Sequence, residues 1–132
     1  IATHILPRPV LLVDALLEFP ENREAPIAAG LRLRDTAGAP ISMDLDWRQT
    51  GLQSWDIEVD TDAGMLRLSE GGAVLTVPSG IQRAEAREYA RLYARFAALV
   101  GRGVSDVDAD PLRLVADAFL RGHRKTVEPF HD

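Results

Sequence analysis

Three histidines, His4, His123 and His131, are the side chains of this 132-residue sequence best suited to moving a proton or binding a metal near neutral pH. Their spacing forms neither an HExxH motif nor another ligand pattern, so no metal site is expected. His123 falls among Arg121, Arg124 and Lys125, where cations suit the C-terminal end of a helix. His131 belongs to a tail. His4 is different in kind, because IATHILP reads as a short helical segment leading directly into an extended run. On residue type alone a packed or solvated histidine is the plainer reading of it. A second grouping is Trp47, Arg48 and Gln49, with Trp55 a little further on. An aromatic face beside Arg and Gln is what a sugar site uses: ring C–H groups stack while the polar side chains take hydroxyls. Core packing is the simpler role for both tryptophans, since both lie on the apolar phase of extended segments. Asp44 and Asp46 alternate among arginines and do not read as a glycosidase pair.

Chemistry on nucleotides finds no support. A dinucleotide-binding loop needs three glycines after a strand and at the start of a helix, so that the backbone can approach a pyrophosphate. Gly101-Arg-Gly103 has Asp106 at the third position and follows a helical pattern, so helix termination explains it. No Walker-type loop is present, and no residue is expected to hold a cofactor. The sequence has no cysteine, which excludes disulfides, thiolate zinc sites and thiol catalysis. Net charge is −5 with the basic residues dispersed, which disfavours nucleic acid and anionic membranes as partners. Apolar runs such as Val10 to Val13 fall far short of the roughly 20 residues that cross a bilayer, and the cytoplasm is the expected compartment. The sequence begins at Ile1 without an initiating Met and reads as a piece of a longer chain.

The elements that must position these residues follow from periodicity. Val10 to Phe19, stopped by Pro20, is a long first strand. Ile27, Ala29, Leu31 and Leu33 alternate with Ala28, Gly30, Arg32 and Arg34; Ile41, Met43, Leu45 and Trp47 alternate with Ser42, Asp44, Asp46 and Arg48. Further strands are expected at 55–59, 65–69 and 73–77, joined by glycine-bearing turns. Tyr89, Tyr93, Phe96 and Val100 mark an amphipathic helix over about 84–100. A second helix starts at Asp110 as N-cap and Pro111, with a stripe of Leu112, Val115, Phe119 and Leu120. The expected class is α+β: one domain over 1–132, an open, mainly antiparallel six-stranded sheet with helices packed on one face. The free polar face, with Arg32, Arg34, Asp44 and Arg48, is a natural surface for a two-fold homodimer.

Several segments together resemble the C-terminal part of the D-galactose 1-dehydrogenases, a branch of the Gfo/Idh/MocA oxidoreductase family: THILPRPV (3–10), LEFPENREAPIAA (17–29), DWRQTG (46–51), WDIEVDTDAGMLRLSEGGA (55–73) and SDVDADPLRLVADAFLRGHRKTVEPF (105–130). The resemblance covers essentially the whole chain. It implies a second domain of the expected architecture, preceded in the full-length enzyme by a Rossmann domain that binds NAD or NADP and is absent here. It also implies oxidation of D-galactose or a similar aldose at C1, giving the aldonolactone. The family's catalytic lysine sits in a Glu-Lys-Pro motif; Glu128-Pro129 lacks it, and Lys125 lies elsewhere, so neither inherits that role. His4 matches the position of a histidine near the reacting hydroxyl, whose acidic partner four positions earlier would fall before Ile1.

The expected function is therefore that of the C-terminal, substrate-side half of an NAD(P)-dependent sugar dehydrogenase, with His4 catalytic and Trp47, Arg48 and Gln49 contacting the sugar. The isolated half is expected to be inactive. The alternative is a non-catalytic sugar-binding, regulatory or oligomerisation domain on the same scaffold.

Overall fold

The computed structural model describes residues 1–85 and 87–131. The elements in chain order are α1 (Ala2–Ile5), β1 (Val10–Pro20), β2 (Ala28–Asp35), β3 (Pro40–Asp46), β4 (Ile57–Thr61), β5 (Gly64–Ser69), β6 (Val74–Val77), β7 (Gly80–Arg83), α2 (Glu88–Arg102), α3 (Asp110–Arg121) and β8 (His123–Val127). They form two compact units, the second inserted into the first: residues 1–49 with 107–132, and residues 50–106. Among the described residues, no helix is long and apolar enough to cross a membrane.

The first unit is a four-stranded sheet in the order β3-β2-β1-β8, with β8 parallel to β1 and the other pairs antiparallel. α3 packs on β1. β1 carries the device that makes the core possible. Strict alternation from Val10 would send Asp14 and Glu18 inward, where an unpaired carboxylate is expensive. A register shift between Leu12 and Asp14 inserts an extra residue into β1, so the inward set changes from Val10 and Leu12 to Ala15, Leu17 and Phe19. Asp14 and Glu18 thereby reach the opposite face. The core cluster is Val10, Leu12, Ala15, Leu31, Leu33 and Ala118, with Leu6, Ile41, Met43 and Leu114 packed against it.

Asp35 ends β2 as a buried carboxylate and is fully engaged. Its Oδ1 accepts the amides of Ala37 and Ala39, each at 2.8 Å, closing the 35–39 turn, and its Oδ2 accepts Arg8 Nη1 at 3.4 Å. The Ala39 amide foremost, then the Ala37 amide and the Arg8 guanidinium, hold its pKa below the ordinary value against the opposing effect of desolvation.

The second unit is an antiparallel meander, β4-β5-β6-β7, with α2 following it in the chain. The β4–β5 hairpin closes on Thr61, whose hydroxyl donates to the Gly64 carbonyl at 2.7 Å, with Gly64 at φ 112. α2 ends on Gly103 in the left-handed conformation, its amide bonded to the Val100 carbonyl.

The α+β class and the predominantly antiparallel pairing agree with the sequence reading. The expectation of one six-stranded sheet is corrected to eight strands in two sheets among the described residues. The two extra strands are β7, a short segment of four exposed residues without a buried phase, and β8, whose cationic run was assigned to a helix end. Gly122 adopts an extended conformation at the end of α3, and the chain turns into β8 there. α3 has Ala109 rather than Asp110 at its N-cap position, and the Asp110 amide is bonded to Asp108 Oδ1 at 3.0 Å. Its inward residues are Leu114 and Ala118, not the expected stripe of Leu112, Val115, Phe119 and Leu120.

Candidate functional site

His4 is the penultimate residue of the single-turn α1, and its backbone amide bonds the Ile1 carbonyl at 2.8 Å. The imidazole is exposed. The segment that carries it is fastened downstream: Leu6 packs against the core cluster, Arg8 pairs with Asp35, and the Pro9 carbonyl accepts the Thr36 amide at 3.1 Å. The structure thus offers a solvent-facing imidazole on an anchored lead-in to β1.

Arg48 lies in a chain of charges on the polar face. Asp46 grips it with Oδ1 on the backbone amide and Nε, at 2.8 and 2.9 Å, and with Oδ2 on Nη2 at 2.7 Å. Nη2 also meets Glu18 Oε2 at 2.8 Å, while Glu18 Oε1 accepts Lys125 Nζ at 2.8 Å. Ala28 pairs with both Glu18 and Asp46, so a small residue on β2 lies where the Arg48 side chain crosses from β3 to β1. The Lys125 ammonium first, then Arg48, holds Glu18 below the usual carboxylate range, and the Arg48 side chain holds Asp46 there too. The carboxylates of Asp46 and Glu18 raise the Arg48 pKa further above its usual value.

Trp47 points in the opposite phase, in register with Leu45 and Met43, and is 64% exposed, as its amide continues the β2 pairing to the Ile27 carbonyl at 3.1 Å. Gln49 is exposed at the end of this run. Trp55, in the second unit, is 38% exposed, so neither tryptophan is the core residue its phase suggested.

The four residues expected to share a site come from two separate stretches of the first unit. α1 leads into the Val10 end of β1, whereas Arg48 pairs with Glu18 further along the same strand. Arg48 and Trp47 also belong to opposite faces. What the sequence reading missed is the acidic half of the polar network, Asp14 and Glu18. Two acids on the same face of an otherwise apolar strand were the available signal, hidden by the bulge. Asp14 pairs with Arg32 at 2.8 Å and lies 3.8 Å from His123 Nε2, so His123 is a residue of edge strand β8 on the polar face rather than a helix-end cation.

A nicotinamide dinucleotide does not fit the residues present. Gly101 and Gly103 end α2 rather than open it, and a Cβ at either would meet nothing within 4 Å, so neither is reserved for close backbone approach. Among the described residues, no three His, Asp or Glu side chains form a group that could hold a metal ion.

The sequence is 40% identical to galactose 1-dehydrogenase from Pseudomonas fluorescens over 134 residues, covering 100% of this chain and 44% of that protein. The chain is a homologue of the C-terminal part of the galactose 1-dehydrogenases. The fold agrees with that of the crystal structure of a D-galactose-1-dehydrogenase protein from Rhizobium etli, with a TM-score of 0.92 and 57% identity over 98% of this chain and 42% of that one. KijD10, a 3-ketoreductase from Actinomadura kijaniata solved with NADP and a TDP ligand, shares the fold at a TM-score of 0.76 and 17% identity, over 96% of this chain and 43% of its own. No family model matches the sequence. The galactose 1-dehydrogenase resemblance read from the five segments is borne out over the whole chain, which spans less than half the length of these relatives.

Proposed function

We propose that this chain is the substrate-side, C-terminal half of an NAD(P)-dependent sugar dehydrogenase of the Gfo/Idh/MocA type, oxidising D-galactose or a similar aldose at C1 to the aldonolactone. The observation that carries this reading is the 57% identity and 0.92 TM-score to the Rhizobium etli D-galactose-1-dehydrogenase along nearly the whole chain. The cofactor belongs to the part of the relatives that this chain does not span, in keeping with the absence of a phosphate-binding loop here.

Oxidation at C1 removes a hydride from carbon and a proton from the hydroxyl oxygen. His4 takes the proton side: an exposed imidazole on an anchored segment accepts a hydrogen bond from the C1 hydroxyl and removes its proton as the C1–H bond breaks. Trp47, exposed on the helix side of the sheet, offers an aromatic face to the sugar ring. Arg48 and Gln49 remain proposed sugar contacts, although the binding of Arg48 by Glu18 and Asp46 favours a role on the polar face. That face, with Arg32, Arg34 and Asp44, is where a two-fold homodimer forms, and the enzyme works in the cytoplasm.

The test is a pair of measurements. The full-length polypeptide should reduce NAD or NADP in the presence of D-galactose, and residues 1–132 alone should show no heat of binding with either nucleotide. Full-length protein without sugar-dependent nucleotide reduction, or tight nucleotide binding by 1–132, rejects the reading.

A further inference from the structure

The chain between α1 and β1 is stiff. Pro7 and Pro9 have φ fixed by their rings, and Leu6 and Arg8, each preceding a proline, are confined to extended backbone, as seen at Leu6 with φ −82 and ψ 140. Both prolines are exposed, so their rings do not serve the core. A shift at the sheet end of this arm therefore reaches His4 instead of being absorbed on the way. Among the described residues none hydrogen-bonds the His4 imidazole, so its place is set by the backbone that carries it.

One turn holds the sheet end of the arm. Val10 pairs with Asp35, the Pro9 carbonyl accepts the Thr36 amide at 3.1 Å, and Arg8 Nη1 reaches Asp35 Oδ2 at 3.4 Å. The 35–39 turn by itself has no need of an acid. Asp35 Oδ1 takes the amides of Ala37 and Ala39, and the neutral oxygen of an asparagine does the same without desolvating a carboxylate whose side chain is 7% exposed. Only Oδ2, through Arg8, uses the charge. An ion pair whose arginine is 55% exposed adds little to stability, so its use lies in where it holds the arm.

We propose that Asp35 is a positioning residue for His4: through Arg8 and the Leu6–Pro9 arm, its buried carboxylate fixes where the imidazole stands relative to the C1 hydroxyl. This inference rests on the proton-transfer role given to His4 above. The demand is geometric, because proton transfer needs hydrogen-bond reach, and a displacement of about 1 Å caused by a residue away from the chemistry costs on the order of 10²-fold in rate. Asp35 touches neither sugar nor cofactor in this account.

The experiment measures kcat and KM for D-galactose in the full-length polypeptide, below the onset of unfolding. Asp35→Asn keeps an oxygen for the Ala37 and Ala39 amides and turns the atom facing Arg8 into a donor, so it opens the link and leaves the turn. Arg8→Ala opens the same link from its exposed side and carries the test if Asp35→Asn does not fold. Pro7→Gly loosens the arm itself. Each should lower kcat by about 10–100-fold with KM held within about twofold. In a His4→Ala background none of them should lower kcat further, because residues that act as one unit are not additive. A merely structural role lowers the melting temperature and leaves kcat of the folded enzyme unchanged. Normal kcat in the link variants, or equal losses with and without His4, overturns the proposal. His4→Ala separates it from the reading beneath: a loss there with normal kcat in the link variants removes the positioning role alone. Full activity of His4→Ala, or a folded full-length protein without sugar-dependent nucleotide reduction, removes the proton-transfer reading and this inference with it.

Discussion

The two units use similar patterns of sequence to different depths. In the unit built on β1, nine hydrophobic residues are buried, including Leu17 at 2% and Leu33 at 3% exposure, and four carboxylates are held below their usual pKa by specific donors. In the inserted unit, Val74 is the single buried hydrophobic among the described residues, and the α2 stripe of Tyr89, Tyr93, Phe96 and Val100 is 63–73% exposed. Amphipathic periodicity is equally clear in both. What differs is whether a second element lies on the apolar face, which shows that a stripe specifies the need for a partner and not which partner meets it.

The largest expected effect is on chemistry. In the full-length enzyme His4→Ala should lower kcat by roughly 10²–10⁴-fold, the usual consequence of losing a positioned acid–base group, with the melting temperature nearly unchanged. A change confined to KM would make His4 a binding residue. A stability loss without a kinetic change would make it a packing residue of the first unit.

Stability should follow the division between the units. Leu33→Ala should cost about 2–5 kcal/mol in denaturant unfolding, because a buried leucine leaves a cavity. Ile81→Ala, at an exposed position on β7, should stay within about 0.5 kcal/mol. Equal costs would erase the contrast. Gly122→Ala should cost about 1–3 kcal/mol, since a Cβ there runs into the Ala118 carbonyl oxygen and lies 2.9 Å from Ala15 Cβ, at the junction of α3, β1 and β8.

The smallest effect is on pH dependence. The folded-state pKa of Glu18 lies below its ordinary 4.5, so its contribution is fully present above that value and is lost as pH falls through the lowered one. Stability from pH 7 to pH 3 should therefore fall less steeply in Glu18→Gln than in the parent, measured by urea midpoints. An unchanged slope would mean that the Lys125–Glu18–Arg48 chain contributes nothing in solution.

Much of this was legible in the sequence, and the failures have physical causes. β2 and β3 were found within a residue or two because Leu31, Leu33, Ile41 and Met43 alternate cleanly with polar partners. β1 was located correctly, but its apolar residues occupy both phases, so the sequence did not show the bulge or the inward set it creates. β8 was missed because its partner is β1, more than a hundred residues away, and a run of His, Arg and Lys carries no apolar phase of its own. The α3 stripe was read as the core face because it is the larger of two; the inner face consists of Leu114 and the small Ala118, a weak signal that suits close approach to a sheet. At the site, residue types drew Arg48 and Gln49 into one grouping with Trp47 and His4. Alternation along β3 puts Arg48 and Trp47 on opposite faces of the sheet, a separation that residue types alone do not show.

The parallel pairing of β1 with β8 has a consequence for synthesis. Glu18 and Lys125, bonded across that pair, are 107 residues apart, and Asn22 and Phe130 exchange two hydrogen bonds over 108. During translation one edge of β1 must therefore wait, unpaired, while the whole inserted unit is made. At roughly 5–20 residues per second that interval lasts on the order of ten seconds, with Leu16 and Leu17 on a strand edge that another nascent chain could pair with. Crowded polysomes at high expression are the setting in which this topology is most exposed to misassembly, and slower initiation, which spaces the ribosomes, is the remedy it suggests.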